Sequence, residues 1–166
     1  LYMNNTLEKL KKIHDLCINN NLTISTAESC TGGYIAKYLT DKTNSSRYFK
    51  GSIIAYSNEV KTKILSVPHD KIEKHGAVSR EVAISMASGV LKIMNSDIAI
   101  SVTGIMEKSD DQSKKNTQVF ISIKSLKYED IFHFDLDGNR DANREKTVYY
   151  AFCCLYDFIN KHYLLS

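Results

Sequence analysis

Two parts of the sequence carry side chains that could perform nucleophilic chemistry together. Ser29 lies in the run from Thr26 to Gly33, directly after a short apolar segment, and Lys61 follows Tyr56 by five residues. A serine hydroxyl becomes a useful nucleophile when a neighbouring base takes its proton, and a lysine amine is such a base once burial has lowered its pKa. Tyr56 would relay the proton or hold the amine in place. These residues indicate covalent catalysis on an acyl group.

The surroundings of Ser29 suit the stabilisation of an oxyanion. A strand that ends here and a helix that begins here would leave the backbone N–H groups near Cys30, Thr31 and Gly32 without partners inside the helix. Gly32 and Gly33 would let the backbone approach a substrate closely. The alternative is that Ser29 or Thr31 caps the helix and that the glycines only permit the turn.

A purely structural interpretation is also open for the proposed base. Lys61 would then be a solvated helical lysine, and Tyr56 a residue at the edge of the core. The sequence has no Gly-x-Ser-x-Gly motif with an acid and a histidine downstream. The histidines show no local pattern that ties them to Ser29, and we interpret them as surface or hydrogen-bonded polar residues: His14, His69, His75, His133 and His162.

The elements that must position these side chains alternate between strands and helices. Short β-branched segments predict strands over residues 22–27, 51–57, 97–103, 119–123 and 131–134. Apolar residues at helical spacing predict helices over residues 6–19, with Asn4, Asn5 and Thr6 as capping residues, and over 31–40, 58–65, 80–94 and 141–159.

The order of these elements predicts a layered fold. Residues 68–75 are expected to form a connection, and the polar run 107–117 an exposed loop. We expect a single domain over residues 1–166, with a three-layer α/β/α arrangement around a mixed, mostly parallel sheet of about five strands.

The composition excludes several classes of protein. The net charge of +3 arises from 22 basic and 19 acidic residues scattered along the chain, so no nucleic-acid partner is predicted. The four cysteines have no metal-binding spacing, which indicates reduced thiols, no zinc and a cytoplasmic setting. No apolar run is long enough for a signal peptide or a membrane span, so no membrane partner is predicted either.

Four segments, taken in order, resemble the family named after the competence/damage-inducible protein CinA, in its C-terminal domain. They are Ala27–Gly33, Ala55–Lys61, His75–Ser79 and Val102–Ile105, and the match is nearly full length. Members of that family include nicotinamide mononucleotide deamidases, which hydrolyse the pyridine carboxamide to the acid and release ammonia in pyridine nucleotide salvage. The resemblance implies an amidohydrolase that acts on a pyridine nucleotide and requires no metal or other cofactor.

The resemblance also implies roles for individual residues. It places the serine, tyrosine and lysine of the family's catalytic site on Ser29, Tyr56 and Lys61. The substrate-binding residues that it implies are Glu28, Cys30, Thr31, Gly32, Gly33, Asn58, Thr103, Gly104, Arg140 and Arg144.

The two arginines lie in a segment, Gly138–Arg144, that is similar to the family's Gly-x-Arg…Arg segment. An arginine at a helix start suits a nucleotide phosphate because its planar fork donates two hydrogen bonds to one phosphate. Either Arg140 or Arg144 is a candidate for that contact. The alternative is a surface ion pair with Asp141 or Glu145.

One segment departs from the family pattern. After Ile105 the family usually has a stretch rich in glycine and proline, whereas this chain has the polar run Met106–Asn116. Glycines allow backbone amides to converge on a ligand, and Glu107, Asp110 and Asp111 would repel a phosphate if they faced the site. The rival hypothesis is therefore a catalytically silent nucleotide-binding or protein-interaction domain with the same fold.

The resemblance extends to the form of the molecule. Because the chain opens with its own amphipathic helix, it resembles the stand-alone form of the family, without a larger N-terminal partner domain. The likeness also suggests a homodimer. A third hypothesis for the function, beside the nucleotide amidohydrolase and the silent domain, is hydrolysis of a different small carboxamide.

Overall fold

The computed structural model describes residues 2–109 and 116–164, and in them the strands form one mixed sheet. β1 pairs in parallel with both of its neighbours, whereas β4 pairs antiparallel with both of its own. Four of the five strands therefore run in one direction, and the predicted mixed, mostly parallel sheet is confirmed. The strands are β1 (Ile24–Glu28), β2 (Phe49–Ile54), β3 (Ile98–Ile105), β4 (Gln118–Lys124) and β5 (Glu129–Asp135), in the order β2-β1-β3-β4-β5.

Helices cover both faces of the sheet, which confirms the three-layer arrangement. The first face carries α1 (Tyr2–Asn19), α2 (Tyr34–Asp41) and α6 (Arg140–Ile159), and the second carries α3 (Asn58–Lys63), α4 (His69–His75) and α5 (Arg80–Met94). Successive strand residues point to opposite faces, so Ile98 and Ile100 pack under α1 and α6 while Ala99 packs under α5. Within the described ranges, no helix combines the length and the apolar character needed to cross a membrane.

Three helices differ from the prediction. α1 begins at Tyr2 rather than at Thr6, because Thr6 is fully buried and its hydroxyl donates to the carbonyl oxygen of Tyr2 at 2.7 Å, inside the helix. α2 begins at Tyr34 rather than at residue 31. Residues 69–75 form the short helix α4 instead of an irregular connection; its buried residue is Ile72, too little for a helical period to be visible in the sequence.

The fold brings the carboxyl ends of three strands to one edge of the sheet. Glu28, the last residue of β1, pairs with Ile54 of β2 and with Val102 of β3. The next residues along β1 and β3 are Ser29 and Thr103. The strand order reverses at β1, with β2 on one side and β3 on the other, and open α/β sheets bind ligands at such a point.

Candidate active site

The side chains of Ser29 and Lys61 meet at this edge of the sheet. The Nζ atom of Lys61 donates to the Oγ atom of Ser29 at 3.1 Å and to the carbonyl oxygen of Tyr56, also at 3.1 Å. Ser29 is fixed by its own backbone, since its amide donates to the carbonyl oxygen of Val102 at 3.1 Å. The proximity expected from two successive strand ends is therefore present.

The position of Lys61 depends on the way α3 begins. Ser57 precedes this helix, and its hydroxyl accepts a hydrogen bond from the amide of Val60 at 3.2 Å, as an N-cap residue does. Lys61 then lies one turn into the helix on its inward face, with only 2% of the residue exposed. Burial lowers the pKa of the Lys61 ammonium from its ordinary value of 10.5, because the charged form is poorly solvated there.

Glu28 has a structural role that the sequence did not indicate. It is fully buried, and its carboxylate accepts from the amides of Ile35 and Ala36 in the first turn of α2 at 2.9 and 3.0 Å. It also accepts from the hydroxyls of Thr31 at 2.7 Å and of Ser52 at 3.1 Å. These contacts occupy the carboxylate on the α2 face of the sheet, so Glu28 caps a helix, and it is not among the residues that line the pocket above Ser29.

The turn after Ser29 differs from the predicted helix start. Residues 30–33 form turns, and the amide of Gly32 donates to the carbonyl oxygen of Ser29 at 3.1 Å. Among the described residues, the amides of Cys30 and Thr31 donate to no main-chain carbonyl. The candidates for oxyanion stabilisation are therefore these two amides, and Gly32 is not among them.

A pocket of about 290 Å³ opens above Ser29 and Lys61. Lys61, Glu107 and Arg140 are its charged lining residues. Across the described ranges, no cluster of three or more His, Cys, Asp or Glu side chains is placed to hold a metal ion. The lining residues are Ser29, Cys30, Tyr56, Asn58, Lys61, Ala77, Val78, Thr103, Gly104, Ile105, Met106, Glu107 and Arg140.

Thr103 and Gly104 form the wall that β3 contributes. The Thr103 hydroxyl is almost fully buried and donates to the carbonyl oxygen of Ala77 at 2.8 Å, which leaves its oxygen as an acceptor. A Cβ atom on Gly104 would lie 2.5 Å from the carbonyl oxygen of Gln118 in β4, so no larger residue fits there. Both residues line the pocket, and the contact with a substrate that the resemblance implies for them stays a prediction.

Cys30 and Asn58 also line the pocket. Burial raises the pKa of the Cys30 thiol to about 12, so the thiol is protonated near neutral pH and is a poor nucleophile. This leaves the hydroxyl of Ser29 as the candidate nucleophile of the site. Asn58 is exposed at the first position of α3.

Tyr56, Arg140 and Glu107 meet at the mouth of the pocket. The guanidinium of Arg140 donates from Nη1 to Glu107 at 2.9 Å and from Nη2 to the Tyr56 hydroxyl at 2.9 Å. Tyr56 is 61% exposed, and it is the main-chain carbonyl of this residue that accepts from Lys61. The phenol therefore contacts the arginine and not the lysine.

Arg144, Thr31, Gly32 and Gly33 do not line the pocket. Arg144 lies over the ring of Tyr34 at 4.0 Å and donates to the carbonyl oxygen of Thr31 at 3.0 Å. It therefore stabilises the turn at residues 30–33 from outside the pocket. Gly32 has a φ of 57°, and a Cβ atom there would approach Arg144 to 3.0 Å. Of the two arginines, Arg140 is the one at the pocket.

Sequence reasoning did not anticipate the role of Asn143. This residue is fully buried, and its side-chain nitrogen donates to the carbonyl oxygens of Met106 and Gly138, both at 2.8 Å. It thereby ties the pocket wall after β3 to the start of α6. An asparagine one turn into a helix was the available signal, but its partners are far away in the sequence.

These features define an α/β domain with a serine and a buried lysine at the carboxyl edge of its sheet. The chain belongs to the CinA C-terminal domain family, whose model matches residues 6–159. It is 45% identical over 134 residues to a CinA-like protein of Endomicrobium trichonymphae, and 40% identical over 154 residues to one of Petrotoga mobilis. These alignments cover 80% and 92% of this chain but 31% and 38% of the relatives, so the chain spans about a third of their length.

Solved structures with similar folds carry the same family name. The competence/damage inducible protein CihA from Agrobacterium tumefaciens superposes with a TM-score of 0.83 at 32% identity, over 92% of this chain and 94% of that one. The competence damage-inducible protein A from Klebsiella pneumoniae superposes with a TM-score of 0.88 at 26% identity, over 95% and 98% of the two chains. The family and the fold are therefore established.

Proposed function

We propose that this domain is an amidohydrolase that converts nicotinamide mononucleotide to nicotinate mononucleotide and ammonia. The observation that carries the proposal is the 3.1 Å contact between the Nζ atom of the buried Lys61 and the hydroxyl of Ser29. A buried lysine with a lowered pKa loses its proton more readily than a solvated one, and its free amine is then a base for the serine. The nucleotide substrate rests on the family resemblance.

The proposed reaction has two halves. The Lys61 amine takes the Ser29 proton, Oγ bonds to the carboxamide carbon, and the oxyanion lies near the amides of Cys30 and Thr31. When the C–N bond breaks, the leaving group receives that proton from Lys61 and departs as ammonia. Water then attacks the acyl-serine ester while Lys61 takes its proton. When the bond between the acyl carbon and Oγ breaks, Lys61 returns that proton to Oγ, which releases the acid and restores Ser29.

The pocket supports this reaction in a second respect. The Nζ atom of Lys61 donates to two acceptors, the Ser29 hydroxyl and the Tyr56 carbonyl oxygen, and both are uncharged. A carboxylate beside the amine would strongly favour the ammonium form, whereas uncharged acceptors offset less of the cost of burying the charge, and burial lowers the pKa of Lys61. The base and the nucleophile are thus in contact, and among the described residues no carboxylate is hydrogen-bonded to the amine.

Ammonia release from nicotinamide mononucleotide tests the proposal. Purified wild-type protein is expected to release ammonia and nicotinate mononucleotide in equal amounts, and a Lys61→Met variant is expected to lose about 10³-fold in kcat/KM. Calorimetry with the same nucleotide provides the second measurement. Binding by the wild type without any ammonia would contradict the proposal and indicate a silent binding domain.

Two further parts of the proposal concern the cell and the assembly. All four cysteines are free thiols, as expected for a reducing compartment, and we propose a cytoplasmic location.

We also propose a homodimer, on the family resemblance. Light scattering on the eluting peak of a size-exclusion column would measure the mass of the assembly, and a monomer at micromolar concentration would contradict the dimer.

A further inference from the structure

The guanidinium of Arg140 is already occupied at the mouth of the candidate site. Its Nη1 donates to Glu107 and its Nη2 to the hydroxyl of Tyr56, both at 2.9 Å. All three side chains line the pocket above Ser29. An anionic group that enters this pocket therefore meets an arginine whose two terminal nitrogens already have acceptors.

The charges of the pocket nearly cancel. Within the described part of the chain, its charged lining residues are Lys61, Glu107 and Arg140. Once Lys61 is a free amine, one guanidinium and one carboxylate remain, and they are paired with each other. A substrate phosphate would gain the attraction of Arg140 but would also meet the repulsion of Glu107.

Glu107 belongs to the segment in which this chain departs from the family pattern. It lies two residues beyond the end of β3, where the resemblance would lead one to expect glycine and proline. Asp110 and Asp111, the other carboxylates expected to repel a phosphate, lie outside the described residues. Glu107 is therefore the carboxylate whose effect on the pocket can be argued from contacts.

We infer that Glu107 is a specificity-determining residue that competes with an anionic substrate group for Arg140, and so weakens binding of nucleotides relative to the corresponding nucleosides. This inference rests on the proposed function for its choice of substrates. The ion pair is partly exposed, with 41% of the Arg140 side chain and 57% of the Glu107 side chain accessible. Such pairs are weak, so a phosphate displaces the carboxylate at a modest cost and the preference is a severalfold effect.

Kinetics with two substrates test the inference. KM and kcat are measured for nicotinamide mononucleotide and for nicotinamide riboside, which lacks the phosphate, in the wild type and in Glu107→Gln. The substitution is expected to lower KM for the nucleotide about fivefold and to change KM for the riboside less than about twofold. The gain is also expected to shrink as salt is added, because salt screens the phosphate–carboxylate repulsion.

The matched control is Glu129→Gln. Glu129 also forms an ion pair, with Lys124 at 2.6 Å, but this pair lies at the opposite end of the sheet, where Lys124 is paired with Ala99. Glu129→Gln makes the same change in net charge as Glu107→Gln but away from the pocket, and it is expected to leave both KM values unchanged. An unchanged nucleotide KM in Glu107→Gln, or an equal change for both substrates, would overturn the inference.

Binding measurements separate this inference from the proposed function. If the wild type hydrolyses neither compound, calorimetric titration of both compounds into wild type and Glu107→Gln gives the same comparison as dissociation constants. A selective gain for the nucleotide supports the inference even when no ammonia is formed. Turnover of both substrates with no selective gain leaves the proposed function standing and refutes the role of Glu107, and the absence of any binding refutes both.

Discussion

The Nζ atom of Lys61 lies 3.1 Å from the Oγ atom of Ser29, although the two residues are 32 positions apart in the chain. Ser29 follows β1, whereas Lys61 lies one turn into the helix after β2, and parallel pairing of these strands brings their ends together. Among the described residues, neither hydrogen-bond partner of the Lys61 amine is a carboxylate, and burial lowers the pKa of this lysine. Several outcomes depend on this contact.

The rate of ammonia release is expected to rise with pH. The free amine of Lys61 is the active form, so kcat/KM increases as pH rises through the lowered pKa of this lysine and then levels off. In Lys61→Arg the side chain stays protonated at every pH, and activity is expected to fall about 10³-fold across the range. A wild-type profile without this rising limb would show that another group is the base.

The free energy of unfolding is expected to depend on pH through the same lysine. The pKa of Lys61 is lowered on folding, so between that lowered pKa and 10.5 the unfolded chain binds more protons than the folded one. The free energy of unfolding therefore rises with pH in this interval. Lys61→Met removes the group. The free energy of unfolding of the wild type minus that of the variant is expected to increase with pH between the lowered pKa and 10.5 in urea titrations.

Lys63→Met is the control for this measurement. Lys63 lies on the same helix, but 70% of its side chain is exposed and its partner is Glu59 on the surface. The corresponding difference for Lys63→Met is expected to stay flat over the same interval. A flat difference for Lys61→Met as well would contradict a lowered pKa at Lys61.

Glu28 is expected to matter for stability. Glu28→Ala removes the acceptor of two α2 amides and of the Thr31 and Ser52 hydroxyls, and it is expected to lower the free energy of unfolding by about 3 kcal/mol. Glu28→Gln keeps one carbonyl acceptor and is expected to cost less. Glu59→Ala on the surface should change the free energy by less than about 1 kcal/mol. Equal stability of Glu28→Ala and wild type in denaturant titrations would contradict the capping role.

The contributions of the Tyr56 hydroxyl and of the Tyr56 carbonyl oxygen can be measured separately. The carbonyl oxygen that holds Lys61 is retained in Tyr56→Phe, and only the hydrogen bond to Arg140 is lost. Because one exposed hydrogen bond is worth about 1 kcal/mol, kcat/KM is expected to fall about fivefold or less. A loss of about 100-fold or more in steady-state assays would instead assign the phenol a direct part in proton transfer.

The sequence predicted most of the fold and the central pair of the site. Short β-branched segments indicated the five strands, and the rule that parallel strand ends share an edge placed Ser29 near Lys61. Helix ends were less predictable: Thr6 is a good capping residue by type, but burial places it inside α1. Local propensity is a weak guide where tertiary packing decides the boundary.

Contacts between distant segments account for the remaining differences. Glu28 adjoins Ser29 in the sequence, but alternation along the strand turns its side chain to the opposite face, toward α2. The pairing of Arg140 with Glu107 joins residues 33 positions apart, and no local pattern indicates it. The hydrogen bonds of Asn143 to Met106 and Gly138 are of the same kind.

The rate of ammonia release from nicotinamide mononucleotide by Ser29→Ala is the most direct test of the proposed role of Ser29. We expect a loss of about 10⁴-fold or more in kcat, with the wild-type fold retained by circular dichroism, while Ser88→Ala on α5 retains wild-type activity. Turnover by Ser29→Ala within about tenfold of the wild-type rate would contradict the assignment of Ser29 as the nucleophile.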